Sequence, residues 1–144
     1  MRFADLADAG RRLAEVLTDE VVVDALVVSV PPGGVQVGTA VGAVLGREVT
    51  PLVTRRDADG VRVEVPLDVK GRRVVVVDDG VETGTAARAV AAALRQSGAA
   101  YLVLAVPVCP REVEAGLRRR YDDVIAVTRP LARRSLRWHY DTFA

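Results

Sequence analysis

Two adjacent carboxylates and a short Gly/Thr turn follow an apolar run in the middle of the sequence. Residues 74–77 are four consecutive valines, Asp78 and Asp79 come next, and Thr83-Gly84-Thr85 leads into an Ala-rich segment. Carboxylates at the end of a strand can accept hydrogen bonds from the vicinal hydroxyls of a sugar. A turn at a helix N-terminus offers free backbone N–H groups, which suit a phosphate dianion. The order of these residues therefore predicts a site for a phosphorylated sugar.

Taken singly, these residues also have ordinary structural explanations. Acids can simply end a buried strand, and a threonine such as Thr83 is a common helix cap. In an open parallel sheet, however, ligands bind outside the carboxyl ends of the strands. An apolar strand, two acids and a Gly/Thr turn in this order therefore favour a binding site.

The chain around this segment alternates between strand and helix patterns. Runs of β-branched and apolar residues predict strands at residues 21–30, 49–54, 73–77, 100–106 and 124–128. Apolar residues at helical spacing predict helices at residues 5–17, 33–46, 83–96 and 111–120. A polar turn at 55–60 and the alternation of Val61, Val63 and Val65 predict a hairpin that lies over another element. This order predicts an α/β fold with a central parallel sheet flanked by helices on both faces.

Length and composition fit a single domain over residues 1–144. Half of the residues are hydrophobic and only 4% are aromatic, so we expect a core of Val, Ala and Leu. A net charge of +1 gives no field that would favour a nucleic acid or a membrane surface as partner. Arginine far outnumbers lysine, of which Lys70 is the sole example, and this bias is typical of a GC-rich bacterial genome.

Other kinds of site and compartment are disfavoured. A single cysteine, Cys109, cannot form an internal disulfide. The uncharged stretch 25–46 is long enough to suggest a membrane span, but Pro31-Pro32-Gly33-Gly34 interrupts it. The start of the chain has no apolar signal region, which predicts a cytoplasmic protein. Residues 33–39 lack the lysine of a P-loop, and no Gly-x-Gly-x-x-Gly follows a predicted strand, which disfavours an unrelated nucleotide-binding fold.

Residues 74–86 resemble the phosphoribosyl pyrophosphate signature of the type I phosphoribosyltransferase family. That signature is an apolar strand, two acids and a small Thr/Gly loop. The resemblance implies that Asp78 and Asp79 hold the ribose hydroxyls. It implies that the loop holds the 5-phosphate, through Gly80, Val81, Thr83, Gly84, Thr85 and Ala86.

An upstream segment, residues 29–35, resembles the pyrophosphate loop of the same family, with Pro31, Pro32, Gly33 and Gly34 at its centre. Many members carry a basic residue where this chain has Pro32. The diphosphate would then be held by backbone dipoles and by Mg²⁺. The resemblance implies that Mg²⁺ binds through the diphosphate ligand near Asp78 and Asp79, with no protein ligand assigned.

Three further features bear on the type of reaction. Glu82 stands where the 6-oxopurine enzymes of the family carry an acid, which makes it a candidate general base; a solvated first-turn glutamate is the alternative. Trp138, Tyr140, Asp141 and Phe143 resemble the aromatic tail of small bacterial members. A packing or surface role explains the neighbouring His139 as well as catalysis does. The mobile loop of family enzymes is reduced to residues 55–70, and the hood that covers the acceptor base is small.

Two functions follow from the resemblance. The first is transfer of the phosphoribosyl group to an unidentified nitrogen base with release of pyrophosphate, as in nucleotide metabolism. The alternative is a non-catalytic ribose-phosphate-binding module of the same fold that acts as a sensor or partner subunit. In both cases the expected ligand is a small molecule, and assembly as a homodimer stays open.

Overall fold

The computed structural model describes residues 1–143. The helices are α1 (Leu6–Val16), α2 (Asp19–Val22), α3 (Gly33–Leu45), α4 (Thr85–Gln96) and α5 (Arg111–Arg118). The strands are β1 (Ala25–Ser29), β2 (Val49–Pro51), β3 (Val53–Asp57), β4 (Gly60–Glu64), β5 (Arg73–Val77), β6 (Tyr101–Val108) and β7 (Asp123–Thr128). A short 3₁₀ helix, Leu136–His139, follows the last strand.

Five strands form one parallel sheet in the order β2-β1-β5-β6-β7. Strand β5 lies in the middle, and its four valines are fully buried. Helices α1 and α3 cover one face, and α4 and α5 cover the other together with the β3–β4 hairpin. The predicted parallel sheet with helices on both faces is therefore confirmed.

Two predicted strands were too long. The first strand begins at Ala25 because Asp24 adopts a left-handed conformation, with φ of 55°, and Asp19–Val22 form a helical turn before it. The second strand divides at Leu52, whose N–H donates to the Ser29 carbonyl at 2.8 Å before the chain leaves the sheet. The residues beyond Leu52 pair instead with β4, so the predicted polar turn is shorter than expected.

The hairpin lies over the sheet side that carries α4, as the alternating valines predicted. Val63 and Val65 pack against the buried cluster that contains Val90 and Leu94 of α4. The charged strand β3 is largely exposed. Family enzymes have a long mobile loop between these strands, and the sequence predicted that it is shortened here. In this chain the β3–β4 hairpin connects β2 to β5 instead.

The two ends of the described chain meet. Phe3 and Tyr140 form a parallel β-bridge, and the Asp141 N–H donates to the Phe3 carbonyl at 2.8 Å. Phe3 and Tyr140 are both buried, with ring centroids 5.5 Å apart. Residues 135–143, hereafter the C-terminal strap, are held in this way across the carboxyl end of the sheet.

Candidate functional site

A cavity of about 320 Å³ lies at the carboxyl end of β5, between the N-termini of α3 and α4. Its walls come from three separate parts of the chain and from one residue of the hairpin, Arg56. The lining residues are Pro31, Pro32, Arg56, residues 78–87, Leu136 and Phe143. Both loops that were predicted to bind the ligand therefore contribute to one cavity.

The two acids lie directly against the first turn of α3. A β-carbon at Gly33 would overlap the Asp79 carboxylate, and one at Gly34 would lie 2.9 Å from Asp78 Oδ1. Only glycine allows this approach, which explains the pair of glycines after the prolines. The Asp79 backbone N–H donates to Asp78 Oδ1 at 2.8 Å, so the Asp78 side chain is held in a defined orientation.

Burial raises the pKa of both acids above the ordinary range. For Asp78 the burial acts together with the neighbouring charge of Asp79. For Asp79 burial is again the main cause, and the charge of Glu82 raises its pKa further. The Arg56 guanidinium acts in the opposite direction on both. The ionised pair is therefore costly in the free protein, and hydroxyl donors or a cation would stabilise it.

The loop after the acids presents the N-terminus of α4 to the cavity. Gly84 has φ of 86°, a conformation that favours glycine, and for this reason the helix begins at Thr85 and not at Thr83 as predicted. The first N–H groups of a helix have no carbonyl partner within it. The hydroxyl oxygens of Thr83 and Thr85 lie 3.1 Å apart beside them. This part of the loop has the donors that a phosphate requires.

Gly80 and Val81 also line the cavity, but their surroundings differ from those of the phosphate donors at residues 83–85. The Val81 N–H donates to the Val108 carbonyl at 2.9 Å and its side chain is buried in the core, so its amide is not available to a phosphate. Gly80 adopts φ of 144°, where Leu136 leaves no room for a β-carbon. The Val81 amide thus anchors the loop and is not free for the predicted phosphate contact, while the role predicted for Gly80 stays a prediction.

The pyrophosphate loop offers few donors. Pro31 and Pro32 have no N–H, and Pro32 is the cap of α3. The available amides are therefore those that follow, at Gly33 and Gly34 in the first turn. A positive charge is nevertheless present in the cavity, because Arg56 reaches it from β3.

Arg56 is a site residue that the sequence analysis missed, since residues 55–60 were read as a polar turn. Its position on a strand next to a cavity depends on the chain leaving the sheet at Leu52. The one available signal was a basic pair, Arg55-Arg56, directly after a predicted strand.

The C-terminal strap contacts the loop through side chains and backbone. The Leu136 N–H donates to Glu82 Oε1 at 2.7 Å, and the Tyr140 hydroxyl donates to the Asp79 carbonyl at 2.6 Å. Phe143 lines the cavity and stacks at 5.0 Å from Tyr140. His139 is buried but does not line the cavity, and Cys109 is a buried thiol whose pKa burial raises to about 11.

The donors fit a metal ion only in part. Among residues 1–143 no group of three or more His, Cys, Asp or Glu side chains is arranged to hold a metal ion. Asp78 and Asp79 could supply oxygen atoms near a cation, but Mg²⁺ prefers six oxygen ligands and commonly takes several from phosphates and water. The residues present therefore fit a cation that a diphosphate ligand brings with it.

Comparisons with known proteins identify the family of the chain. The profile of the Phosphoribosyl transferase domain matches residues 4–133. The chain belongs to the phosphoribosyl transferase family, and its sheet and flanking helices have the type I phosphoribosyltransferase fold.

Proteins similar to this chain differ in how much of their length the chain covers. A Mycobacterium tuberculosis protein, provisionally named a phosphoribosyl transferase, is 28% identical over 89% of this chain, which spans only 40% of that relative. The crystal structure of TT1426 from Thermus thermophilus superposes with a TM-score of 0.85, at 27% identity, over 100% of this chain and 92% of the other. A purine phosphoribosyltransferase from Pyrococcus horikoshii gives a TM-score of 0.62 at 20% identity, over 93% and 97%.

No helix within residues 1–143 is both long and apolar enough to cross a bilayer. The uncharged stretch that suggested such a span forms β1 and α3.

Proposed function

We propose that the chain binds phosphoribosyl pyrophosphate and transfers its phosphoribosyl group to a nitrogen base. One observation carries the proposal: two half-buried acids and the N-termini of α3 and α4 border a single cavity of about 320 Å³. The acids provide acceptors for a diol, and the two helix N-termini provide donors for two phosphate groups around the same cavity.

Each wall of the cavity has a part in this proposal. Asp78 and Asp79 accept hydrogen bonds from the ribose hydroxyls, and their raised pKa means that the bound hydroxyls relieve an unfavourable charge. Residues 83–86 bind the 5-phosphate with N–H groups and hydroxyls. The first amides of α3 and the Arg56 guanidinium hold the diphosphate. Mg²⁺, when bound, would neutralise the leaving pyrophosphate.

In the reaction, a bond forms between the acceptor nitrogen and C1 of the ribose while the bond from C1 to the pyrophosphate oxygen breaks. Pyrophosphate leaves with the electron pair, and the acceptor nitrogen loses its proton to a base. We assign that base to Glu82. One of its oxygens accepts the Leu136 N–H, and a carboxylate has a second oxygen that can take a proton. This hydrogen bond also orients the carboxylate.

A non-catalytic ribose-phosphate-binding module is the second candidate. Pro32 and the β3–β4 hairpin favour it, because the pyrophosphate loop lacks a basic residue and a paired hairpin replaces a loop that could close over the site. Such a module would bind the ligand without releasing pyrophosphate.

Calorimetry with phosphoribosyl pyrophosphate and Mg²⁺, followed by a pyrophosphate-release screen against nitrogen bases, separates these functions. We expect binding in the first experiment and release with at least one base in the second. Binding without release from any base would leave the binding module. Absence of binding would refute both.

Glu82→Ala tests the assignment of the base. Turnover should fall by roughly 10²–10⁴ while ligand affinity is kept, as expected for loss of a general base. Glu112→Ala is the matched control, because Glu112 also accepts a backbone N–H at the base of the strap, from Arg133 at 3.0 Å, but lies outside the cavity. Equal losses in the two variants would mean that Glu82 only anchors the strap.

A further inference from the structure

The C-terminal strap contacts three residues of the loop, Asp79, Gly80 and Glu82. Tyr140 bonds the Asp79 carbonyl, Leu136 covers Gly80, and the Leu136 N–H bonds Glu82. The strap thus contacts the second acid and the residues that directly follow it. None of these contacts is predicted by the local sequence of either segment.

Tyr140 is itself rigidly held. Its side chain is 2% exposed, its backbone forms the bridge with Phe3, and its ring packs between Phe3 at 5.5 Å and Phe143 at 5.0 Å. Arg2 donates to its carbonyl oxygen at 3.1 Å. Burial and the nearby charges of Asp79 and Asp78 raise its pKa, so the hydroxyl remains a hydrogen-bond donor at any ordinary pH.

The hydrogen bond from Tyr140 completes the fixation of the Asp79 backbone. The Asp79 N–H is already bound to Asp78 Oδ1 at 2.8 Å, and the carbonyl is bound to Tyr140 at 2.6 Å. When both peptide groups of a residue are fixed, the direction of its Cα–Cβ bond is fixed as well. The backbone from which the Asp79 carboxylate projects is therefore held by a hydroxyl that lies 61 positions further along the chain.

Tyr121 is the matched comparison in the same protein, because its hydroxyl bonds a residue that also lines the cavity but does so through a helical carbonyl. It is also 2% exposed and donates to a backbone carbonyl, that of Ala87, at 2.7 Å. That carbonyl belongs to α4, where the helix itself supplies a donor. The Asp79 carbonyl lies between a strand and a helix and has no such helical partner.

We propose that Tyr140 is a positioning residue that aims the Asp79 carboxylate at the ribose hydroxyls and so determines how well the site distinguishes ribose from 2-deoxyribose. This inference rests on the proposed function, because it assumes that the acids bind the sugar. It adds a specificity role for a residue outside the phosphate and ribose loops. Tyr140 itself need not touch the ligand.

Calorimetric titration of Tyr140→Phe and Tyr121→Phe with three probes tests the proposal. The probes are ribose-5-phosphate, 2-deoxyribose-5-phosphate and inorganic phosphate. In Tyr140→Phe we expect affinity for ribose-5-phosphate to fall about tenfold and its preference over the deoxy sugar to shrink by the same factor. Affinity for inorganic phosphate should stay within about twofold of wild type. Tyr121→Phe loses an equally buried hydroxyl and should keep all three affinities.

Each other outcome contradicts a specific statement. Equal loss of affinity for all three probes in Tyr140→Phe would show a general structural role and overturn the proposal. Unchanged affinities would also overturn it while leaving the proposed function intact. If wild-type protein does not bind ribose-5-phosphate, the proposed function fails first and the positioning role fails with it.

A second variant covers the case in which Tyr140→Phe does not fold. Arg2→Ala removes the outer anchor of the strap at Tyr140 but keeps the hydroxyl. We expect the same pattern with a smaller amplitude, about two- to threefold on ribose-5-phosphate alone. An affinity profile identical to wild type in a folded Arg2→Ala protein, together with an unfolded Tyr140→Phe, would overturn the proposal.

Discussion

The two sides of the cavity are built in different ways. The loop side, residues 78–87, is one continuous segment between a buried strand and a helix. The assembled side consists of Arg56 from the hairpin and of Leu136 and Phe143 from the C-terminal strap, brought together by contacts between distant parts of the chain.

This difference separates the functions of the two sides. The loop side supplies groups whose chemistry is general to any phosphorylated ribose. The assembled side supplies a cation for the diphosphate, and it supplies an apolar side chain and an aromatic ring that are suited to the variable part of a ligand. A continuous segment keeps its geometry even when contacts between distant parts of the chain are altered. We therefore expect the loop side to determine affinity and the assembled side to determine selectivity.

The largest expected effect concerns the acids of the loop side. Asp78→Asn combined with Asp79→Asn should abolish binding of ribose-5-phosphate, because each charged hydrogen bond contributes about 1.5–3 kcal/mol. Calorimetry would measure the loss. Affinity close to that of wild type would remove the acids from the site and erase the proposed division of roles.

The same substitution should stabilise the free protein. Burial raises the pKa of both acids, so folding takes up protons at these groups, and their contribution to stability is lost as pH rises from about 4 through the raised pKa. At pH 7 the ionised pair therefore opposes folding, and the asparagines remove that cost. We expect the melting temperature to rise by a few degrees. A lower melting temperature would show that the carboxylates stabilise the loop.

A smaller effect is expected on the assembled side, at Arg56. Arg56→Gln should weaken binding of phosphoribosyl pyrophosphate by about 5- to 10-fold at low salt and less at high salt, because an exposed charge is screened. Ribose-5-phosphate, which lacks the diphosphate, should bind nearly as before. Arg55→Gln is the control, since successive side chains of a strand point to opposite faces. Equal losses in both variants would indicate a general effect of positive charge.

The smallest effect concerns His139 in the strap. Both of its ring nitrogens are buried, and among residues 1–143 neither makes a hydrogen bond of good geometry. Burial lowers its pKa, and the Met1 backbone offsets this shift in part. The N-terminal amine, Arg134 and Arg2 add positive charge around it, and the Trp138 ring lies at 5.0 Å. The folded protein therefore resists protonation here, and stability should fall as pH drops below about 6.5, by at most about 1.4 kcal/mol per pH unit.

Urea unfolding of wild type and His139→Phe between pH 5 and 8 would measure this contribution. Below pH 6.5 the unfolding free energy of wild type should fall relative to that of His139→Phe. Subtracting the unfolding free energy of the variant from that of wild type also cancels the opposite pH dependence of Asp78 and Asp79, which both proteins share. A constant difference over this range would mean that His139 does not resist protonation in the folded state.

The sequence predicted the sheet and the loop side because their signals are local. Four valines can only be a buried strand here, and two acids before a Gly/Thr turn lie in one short segment. The end of β2 at Leu52 was not predictable in the same way, because residues 49–54 have one strand propensity throughout and tertiary pairing divides them. Arg56 was missed for that reason.

The strap was predicted only in outline. The aromatic residues 138–143 were noted through the family resemblance, but nothing in their spacing indicates that the Tyr140 hydroxyl reaches Asp79. Likewise, Val81 was assigned to the phosphate because it stands inside the signature, whereas its amide bonds Val108 on the neighbouring strand. In both cases the deciding partner is far away in the sequence.

The bridge between Phe3 and Tyr140 has a consequence for protein synthesis. The two residues are 137 positions apart, so at about 5–20 residues per second Phe3 waits roughly 7–27 s on the ribosome before its partner is made. During that time the ring of Phe3 has no Tyr140 to pack against and stays exposed to solvent and to other chains. The loop side of the cavity is therefore synthesised before the strap that contacts it.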